Sequence, residues 1–438
     1  MKRLKRAAPP DVTPHGVAHA RRGFAARFAS LRATGASALA AFLVVLGPGL
    51  LAGLSDDDPA GITTYSVLGT DHGYRLLWII PVSTVLLVQF HLAAVRIGAA
   101  TGKGFVGIIR ERWGPKWGYL TVVLLLFANF GTICAEYAGI AAAGSLIGVP
   151  AWISAPLAGV LITLVVLLGS FHRVEHVLLL ISSTLALYIV DGVLARPVWS
   201  EVVSGALIPR MPVNDAGWVA LTASLGTTLA PWGLAFIQSY AVDKRITTSS
   251  LRLARWDVII GSVLTGVIGL AIAVACAATL HQAGVHIETA ADAAAALRPL
   301  AGSFATVFFG AGLLGASLLA AAIVPIATAY SIAEGAGEPA SLDLDARHFQ
   351  WFYAAFVGLT VTAVSIVSLP GLPLIPLIYS SQVLNAVVLP LHLIALLRLG
   401  ADETIMGAAR ATPWATRMGW VSVALVVTCI GALAWSWV

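Results

Sequence analysis

The stretch Ser55-Asp56-Asp57-Asp58-Pro59-Ala60-Gly61 interrupts an apolar run that begins at Ala38 and resumes as Ile62–Gly69. A single acid in the middle of a bilayer costs at least ~2.5 kcal/mol, so three consecutive acids indicate a water-filled cavity that holds a cation. The alternative interpretation is an external loop with solvated acids, but Ala38–Leu54 is too short to span a bilayer without distortion. Pro59 lacks a backbone donor and Gly61 permits unusual torsions. We therefore expect an unwound helix whose freed carbonyls are cation ligands.

The composition is typical of an all-α polytopic membrane protein. The 438 residues are 58% hydrophobic and 11% charged, with a mean hydropathy of +0.89, whereas soluble domains are about one quarter charged. Runs of about 20 apolar residues, the length that crosses a bilayer, recur along the chain. We count eleven candidate spans: Leu39–Asp71, Leu76–Gly98, Trp117–Ile147, Ile153–Ser170, Val177–Leu194, Trp218–Asp243, Val258–Leu280, Ser303–Ala333, Trp351–Leu369, Leu374–Leu399 and Met418–Trp437.

Basic residues alternate between the loops. The N-terminal tail and the loops after spans two and six are rich in Lys and Arg, while the intervening loops are poor in them. Since cytoplasmic loops are the basic ones, we expect a cytoplasmic N-terminus, an extracytoplasmic C-terminus and a location in a bacterial inner membrane. This placement explains the net charge of +5 without nucleic acid as a partner. The tail is too long for a signal peptide.

The three cysteines, Cys134, Cys276 and Cys429, lie inside apolar runs without a CxxC spacing. We expect them to be small buried hydrophobes, and we expect no disulfide, zinc site or resident cofactor. The lipid bilayer is the expected surrounding partner, and we expect a monomer.

Span six carries a second interruption, at Leu229-Ala230-Pro231-Trp232-Gly233. Pro231 removes a hydrogen bond to a carbonyl near Thr227, although a plain proline kink would look the same. The two breaks lie five spans apart, in spans one and six, so the second half begins in the opposite orientation, which indicates a secondary transporter with inverted repeats. We assign residues 1–36 to a basic tail, 37–200 and 201–400 to the two repeats, and 401–438 to the eleventh span.

Polar residues in other spans are weaker candidates. Gln382 and Asn385 share one face of span ten, where interhelical hydrogen bonding is the simpler interpretation. Glu136 is the acid inside span three and is expected to be a supporting carboxylate, a proton carrier or a cavity-lining charge. His281 and His286, in an external loop, are a weak metal signal.

Several segments, in order along the chain, resemble the NRAMP family of divalent-metal transporters. The break Asp58–Ile62, preceded by Gly47–Leu51, resembles the first helix of that family with its Asp-Pro-Gly-Asn sequence. Further matches are Gly73–Trp78, Thr101–Lys103, Ala135-Glu136 and Ser381-Gln382-Val383. The resemblance implies a LeuT-type fold of two inverted five-helix repeats plus an eleventh helix, with metal held between helices one and six.

The departures from that pattern are informative. Gly61 replaces the family's Asn, and Ala230-Pro231-Trp232-Gly233 replaces Met-Pro-His-Asn. Ile133 stands where the family has an acid, and the second helix-six histidine falls at Ile237 or Gln238. The chain in these respects resembles the NRAMP-related magnesium transporters, although the aluminium-transporting branch also lacks the methionine.

The breaks and the resemblance together imply an ion site without soft ligands. The expected metal ligands are Asp56, Asp57, Asp58, Gly61, Thr227, Ala230 and Gln382. The side chains expected to line or support the cavity are Glu136, Thr228, Trp232, Gly233 and Asn385. A thioether favours transition metals, whereas Mg²⁺ keeps several waters and needs one or two carboxylates.

We therefore expect import of Mg²⁺ and Mn²⁺ as partly hydrated ions, without tight proton coupling, by a protein that is not an enzyme. Three other classes of protein fit the sequence less well. A proton-coupled Mn²⁺/Fe²⁺ symporter is the main alternative, but it would lack the acid and both histidines. An organic-solute symporter would not place three acids against a substrate carboxylate, and a membrane aspartyl protease needs two separated acids rather than consecutive ones.

Overall fold

The computed structural model describes residues 57–167, 187–244, 246–296, 302–338 and 350–436. Every regular element within these ranges is helical. The helices are α1 Pro59–His72, α2 Ile79–Thr101, α3 Phe105–Trp113, α4 Pro115–Ser145, α5 Ala151–Leu167, α6 Leu187–Leu194, α7 Trp199–Leu207, α8 Asp215–Thr228, α9 Pro231–Asp243, α10 Leu251–Cys276, α11 Ala290–Ala295, α12 Ala305–Ala336, α13 Gln350–Val367, α14 Leu374–Ala401, α15 Glu403–Met406 and α16 Pro413–Ser436.

Seven helical segments among the described residues are long and apolar enough to cross a membrane. They correspond to predicted spans two, three, six, seven, eight, ten and eleven, while α5 and α13 are shorter apolar helices at the positions of spans four and nine. The first halves of spans one and five, the N-terminal tail and Asp56 lie outside the described residues. The predicted repeat boundary after residue 200 falls within the short helix α7.

Helix ends follow from local sequence. Asp58 and Asn214 are the N-caps of α1 and α8, where their side chains accept hydrogen bonds from Gly61 N and Gly217 N. Pro59 and Pro231 occupy the first turn of α1 and α9, the position where a missing N–H costs nothing. Gly102 ends α2 with φ 64°, a left-handed conformation that other residues rarely adopt.

The start of α1 and the α8–α9 segment lie at the centre of the bundle. The α8–α9 segment is buried along its entire apolar stretch, whereas α16 is mostly exposed at the periphery. α8 packs against α1 and α14, and α9 packs against α2 and α12. Because Ala60, Ala230 and Ile133 belong to one buried cluster, the two breaks meet beside α4.

Candidate functional site

The break in span six separates α8 from α9 at Leu229 and Ala230. In a continuous helix the carbonyl of Thr227 would accept the N–H of residue 231, but that residue is proline. The Thr227 hydroxyl is buried and has no hydrogen-bond partner. The carbonyl and hydroxyl oxygens of Thr227 therefore both lie at the break without a hydrogen bond inside the helix.

The break in span one places two acids directly before α1. Asp58 is 4% exposed, and its Oδ1 accepts the Gly61 N–H at 2.7 Å. Asp57 is 2% exposed, and neither of its carboxylate oxygens has a hydrogen-bond partner. A buried, unpaired carboxylate is expensive unless a cation or a proton neutralises it. Of the two acids that the structure describes here, Asp57 is accordingly the less satisfied one.

Gly61 is placed differently from the expectation. It lies in the first turn of α1, donates its N–H to Asp58 and is absent from the residues with positive φ. Its conformational freedom is therefore not used, and the prediction that Gly61 contributes to the unwinding is wrong. The irregular backbone lies before Pro59, because proline and the Asp58 cap start a helix at that point.

Glu136 approaches the break from α4. Its side chain is fully buried, and its carboxyl group lies close to that of Asp58. Neither of its oxygens has a hydrogen-bond partner in good geometry. Gly139, one turn further along α4, lets the helix approach Pro59, since a Cβ at this position would overlap the proline ring. Sequence reasoning missed Gly139; its spacing of three residues from Glu136 was the available signal.

Thr228, expected to line the cavity, belongs to a hydroxyl network. Its Oγ1 lies 2.7 Å from Tyr65 Oη, 3.1 Å from Ser83 Oγ and 2.7 Å from the Ser224 carbonyl oxygen. These bonds join α8 to α1 and α2. Tyr65 and Ser83 had not been singled out, because nothing in the sequence pairs hydroxyls that are 163 and 145 positions away from Thr228.

Gln382 and Asn385 form an amide pair on α14. Asn385 Nδ2 donates to Gln382 Oε1 and to Thr132 Oγ1, both at 3.0 Å, and Gln382 Nε2 donates to Ser381 Oγ at 2.6 Å. Thr132 lies on α4, one turn before Glu136. The pair thus links α14 to α4, as the hydrogen-bonding interpretation predicts, while Gln382 Oε1 keeps one lone pair for a further contact.

The remaining break residues are largely apolar in their contacts. Ala230 is 5% exposed, and its carbonyl accepts the Gly233 N–H at 3.0 Å. Trp232 is fully buried against Phe236, with an indole N–H that has no partner. Ile133 and Ile237 are fully buried hydrophobic residues. Gln238 Nε2 donates to the Lys103 carbonyl at 3.0 Å.

His281 and His286 hold their loop against α1, and they do not converge on one point. His281 Nδ1 lies 2.7 Å from the Thr70 carbonyl oxygen, and His286 Nδ1 lies 3.0 Å from Asp71 Oδ1. Both contacts are at the end of α1. Over the described part of the chain, no three His, Cys, Asp or Glu side chains converge as a metal-binding group. The central site offers the carboxylates of Asp57 and Asp58, which belong to one segment, with the Glu136 carboxyl group beside Asp58 and neutral oxygens nearby.

Comparison with known proteins gives a consistent result. The profile of the family described as "Natural resistance-associated macrophage protein-like" matches residues 49–436. A protein from Deinococcus radiodurans named "Divalent metal cation transporter MntH" is 28% identical over 424 residues, which cover 93% of each chain. A protein of the same name from Klebsiella pneumoniae is 27% identical over 400 residues, covering 89% of this chain and 94% of the relative.

The solved structures establish the fold. The Eremococcus coleocola manganese transporter superposes with a TM-score of 0.70 at 22% identity, covering 91% of this chain and 88% of that one. The expectation of a LeuT-type helical fold is confirmed by this likeness.

Proposed function

Because the chain belongs to the Nramp family, whose profile matches residues 49–436, we propose that it is a secondary transporter that imports Mg²⁺ and Mn²⁺ as partly hydrated ions. The protein is an integral membrane transporter of a divalent-metal family and not an enzyme. The proposed orientation has a cytoplasmic N-terminus and an extracytoplasmic C-terminus in a bacterial inner membrane. Transport would proceed by alternating access around the two breaks.

The observation that carries the proposal is the pair of unsatisfied groups at the breaks. Asp57 has two unpaired carboxylate oxygens, and Thr227 has an unpaired hydroxyl. These are hard oxygen ligands of the kind that Mg²⁺ and Mn²⁺ prefer. We assign Asp57, Asp58 and Thr227 as the principal ligands, with Asp56, Gly61, Ala230 and Gln382 as further candidates. The supporting residues are Glu136, Thr228, Trp232, Gly233 and Asn385.

The preference for a hard ion rests on Ala230. This residue is buried at the start of α9 and carries only a methyl group. Without a thioether, the site gives transition metals no soft ligand, and the missing bulk leaves space for a water of hydration. A monomeric state stays a prediction.

The experiment is ion uptake into proteoliposomes, with Mg²⁺, Mn²⁺ and Ca²⁺ compared under an inside-negative potential. We expect saturable uptake of Mg²⁺ and Mn²⁺ that is lost in Asp57→Asn. Uptake of Mn²⁺ without Mg²⁺ would contradict the proposed ion preference. Absence of any divalent-ion uptake would contradict the transport proposal itself.

A second candidate is a proton-coupled symporter, which Glu136 favours. Its carboxyl group lies against that of Asp58 and has no other polar partner, so it is able to carry a proton between the site and water. Against coupling, Ile133, Trp232 and Ile237 do not titrate, and Gln238 is committed to the Lys103 carbonyl. We therefore propose uptake without tight coupling.

Internal pH recorded during Mg²⁺ uptake separates the two mechanisms. For the proposed mechanism we expect robust uptake with no change in luminal pH. Metal-dependent acidification in a fixed ratio, lost in Glu136→Gln, would establish the symporter instead.

A further inference from the structure

A cavity of about 140 Å³ lies between α2, α14 and α16. Its walls are mainly apolar and include Phe90, Leu92, Leu396 and Leu397, and Arg96 is the charged residue among its lining. The space is well above the roughly 10–15 Å³ that one water molecule needs. It is separate from the two breaks, since none of its lining residues belongs to α1, α8 or α9.

Arg96 has no anionic partner among the described residues. Its Nε is buried without a hydrogen bond, and its guanidinium lies near Gly400. Other arginines nearby in the chain's basic loops are paired: Arg112 with Asp402 at 3.0 Å and Arg410 with Glu403 at 3.1 Å. Arg96 differs from them in lining a mainly apolar cavity with no acid among the lining residues.

Arg96 also experiences the positive charge of Arg255. Arg255, an exposed residue in the first turns of α10, is close enough for the two positive charges to repel. Two positive charges that repel each other favour an external anion. A phosphate matches them well, because its oxygens accept the parallel N–H groups of a guanidinium fork.

We propose that this cavity binds the phosphate of an anionic phospholipid headgroup, with Arg96 as its principal ligand and Arg255 as a supporting charge. The apolar walls suit the adjoining acyl chains, and the cavity lies between membrane-spanning helices. Arg96 and Arg255 flank the base-rich loops after spans two and six, and basic pockets between helices on that side of a membrane bind anionic headgroups. The proposal does not depend on which ion is transported.

The test uses the full-length protein in an uncharged detergent, with thermal unfolding as the readout. Phosphatidylglycerol and phosphatidylcholine with the same acyl chains are titrated in parallel, and inorganic phosphate is titrated alone. We expect a saturable rise in melting temperature with phosphatidylglycerol only. The apparent affinity should fall about tenfold or more in Arg96→Gln, because charge-assisted hydrogen bonds are lost.

Arg398→Gln is the matched control. Arg398 is an exposed arginine on α14 that does not line the cavity, so its loss should leave the phosphatidylglycerol response unchanged. If Arg96→Gln fails to fold, Arg255→Gln at the exposed position takes its place, and its apparent affinity for phosphatidylglycerol should fall a few-fold. Equal responses of wild type and these variants would overturn the proposal. An Arg96-dependent response to inorganic phosphate alone would assign the site to a soluble anion and overturn the lipid assignment.

Discussion

At the scale of the residue, Asp58 has two separate tasks. Its Oδ1 caps α1 through the Gly61 N–H, and its charge is proposed to hold the ion. Asn caps a helix about as well as Asp, while Ala costs about 1 kcal/mol at this position. We expect Asp58→Asn to keep the wild-type melting temperature but to lose uptake at least about tenfold, since one charge-assisted ligand is gone.

Asp58→Ala should lose both the uptake and part of the stability. The measurements are proteoliposome uptake and thermal unfolding of both variants beside wild type. Wild-type uptake by Asp58→Asn would remove Asp58 from the ion site. A fall in stability common to both variants would mean that the charge, rather than the cap, stabilises α1.

The ion preference can be tested by a single substitution at Ala230. A methionine here would bring a thioether to the break, and soft sulfur favours transition metals over Mg²⁺. We expect Ala230→Met to lower the Mg²⁺/Mn²⁺ uptake ratio by about tenfold, the effect of ~1.4 kcal/mol in relative affinity. Ala230→Leu, of similar volume but without sulfur, controls for crowding of the buried position. Equal ratios in the two variants would show that space, not ligand chemistry, sets the preference.

At the scale of the element, Glu334 joins three helices near the end of α12. Its Oε2 accepts the N–H groups of Val106 and Gly107 at 3.0 and 3.1 Å, and its Oε1 accepts the Ser239 hydroxyl at 2.7 Å. The carboxylate thus closes the N-terminus of α3, where a negative charge is favourable, and holds it against α9.

Removal of Glu334 should loosen this junction. Unsatisfied partly buried donors cost about 1–3 kcal/mol each, so we expect Glu334→Ala to lower the melting temperature clearly. Glu334→Gln, which can still accept the backbone N–H groups, should retain most of the stability. The control is Glu338→Ala, since Glu338 is exposed beyond the end of α12. An equal loss in both alanine variants would contradict the junction.

At the scale of the whole molecule, the buried acids should tie stability to the ion. Asp57 lies unpaired in the centre of the bundle, so an ion that neutralises it binds the folded state alone. At a concentration of 100 times Kd, such binding contributes ~2.7 kcal/mol. We expect Mg²⁺ to raise the melting temperature and a chelator to reverse the effect.

The matched variant is Asp57→Asn, measured with and without Mg²⁺. Its metal-free form should be at least as stable as wild type, because it no longer buries an unpaired charge, and its response to Mg²⁺ should be weaker. NaCl at equal ionic strength controls for general screening. The same Mg²⁺-dependent shift in both proteins would place the stabilising ion elsewhere.

The sequence by itself determined the membrane class, the positions of the seven long spans that the structure describes and the two interruptions. The hydropathy of a span depends only on the residues of that segment, and a proline disturbs the helix within one turn of its own position. The interruptions before α1 and before α9 were therefore readable without a structure, although α1 begins at Pro59, three residues before the expected Ile62. The family resemblance carried the LeuT-type fold, which the comparison with solved structures supports.

Only the tertiary structure decided which polar groups are paired. The Thr228 hydroxyl is hydrogen-bonded to Tyr65 and Ser83, while the hydroxyl of its neighbour Thr227 has no partner. The sequence also could not predict the backbone torsion of Gly61 or the lack of an anionic partner for Arg96 among the described residues. Hydrogen bonds and ion pairs are set by distances of about 3 Å between segments far apart in the chain. Such distances follow from packing, which no local pattern of residue types records.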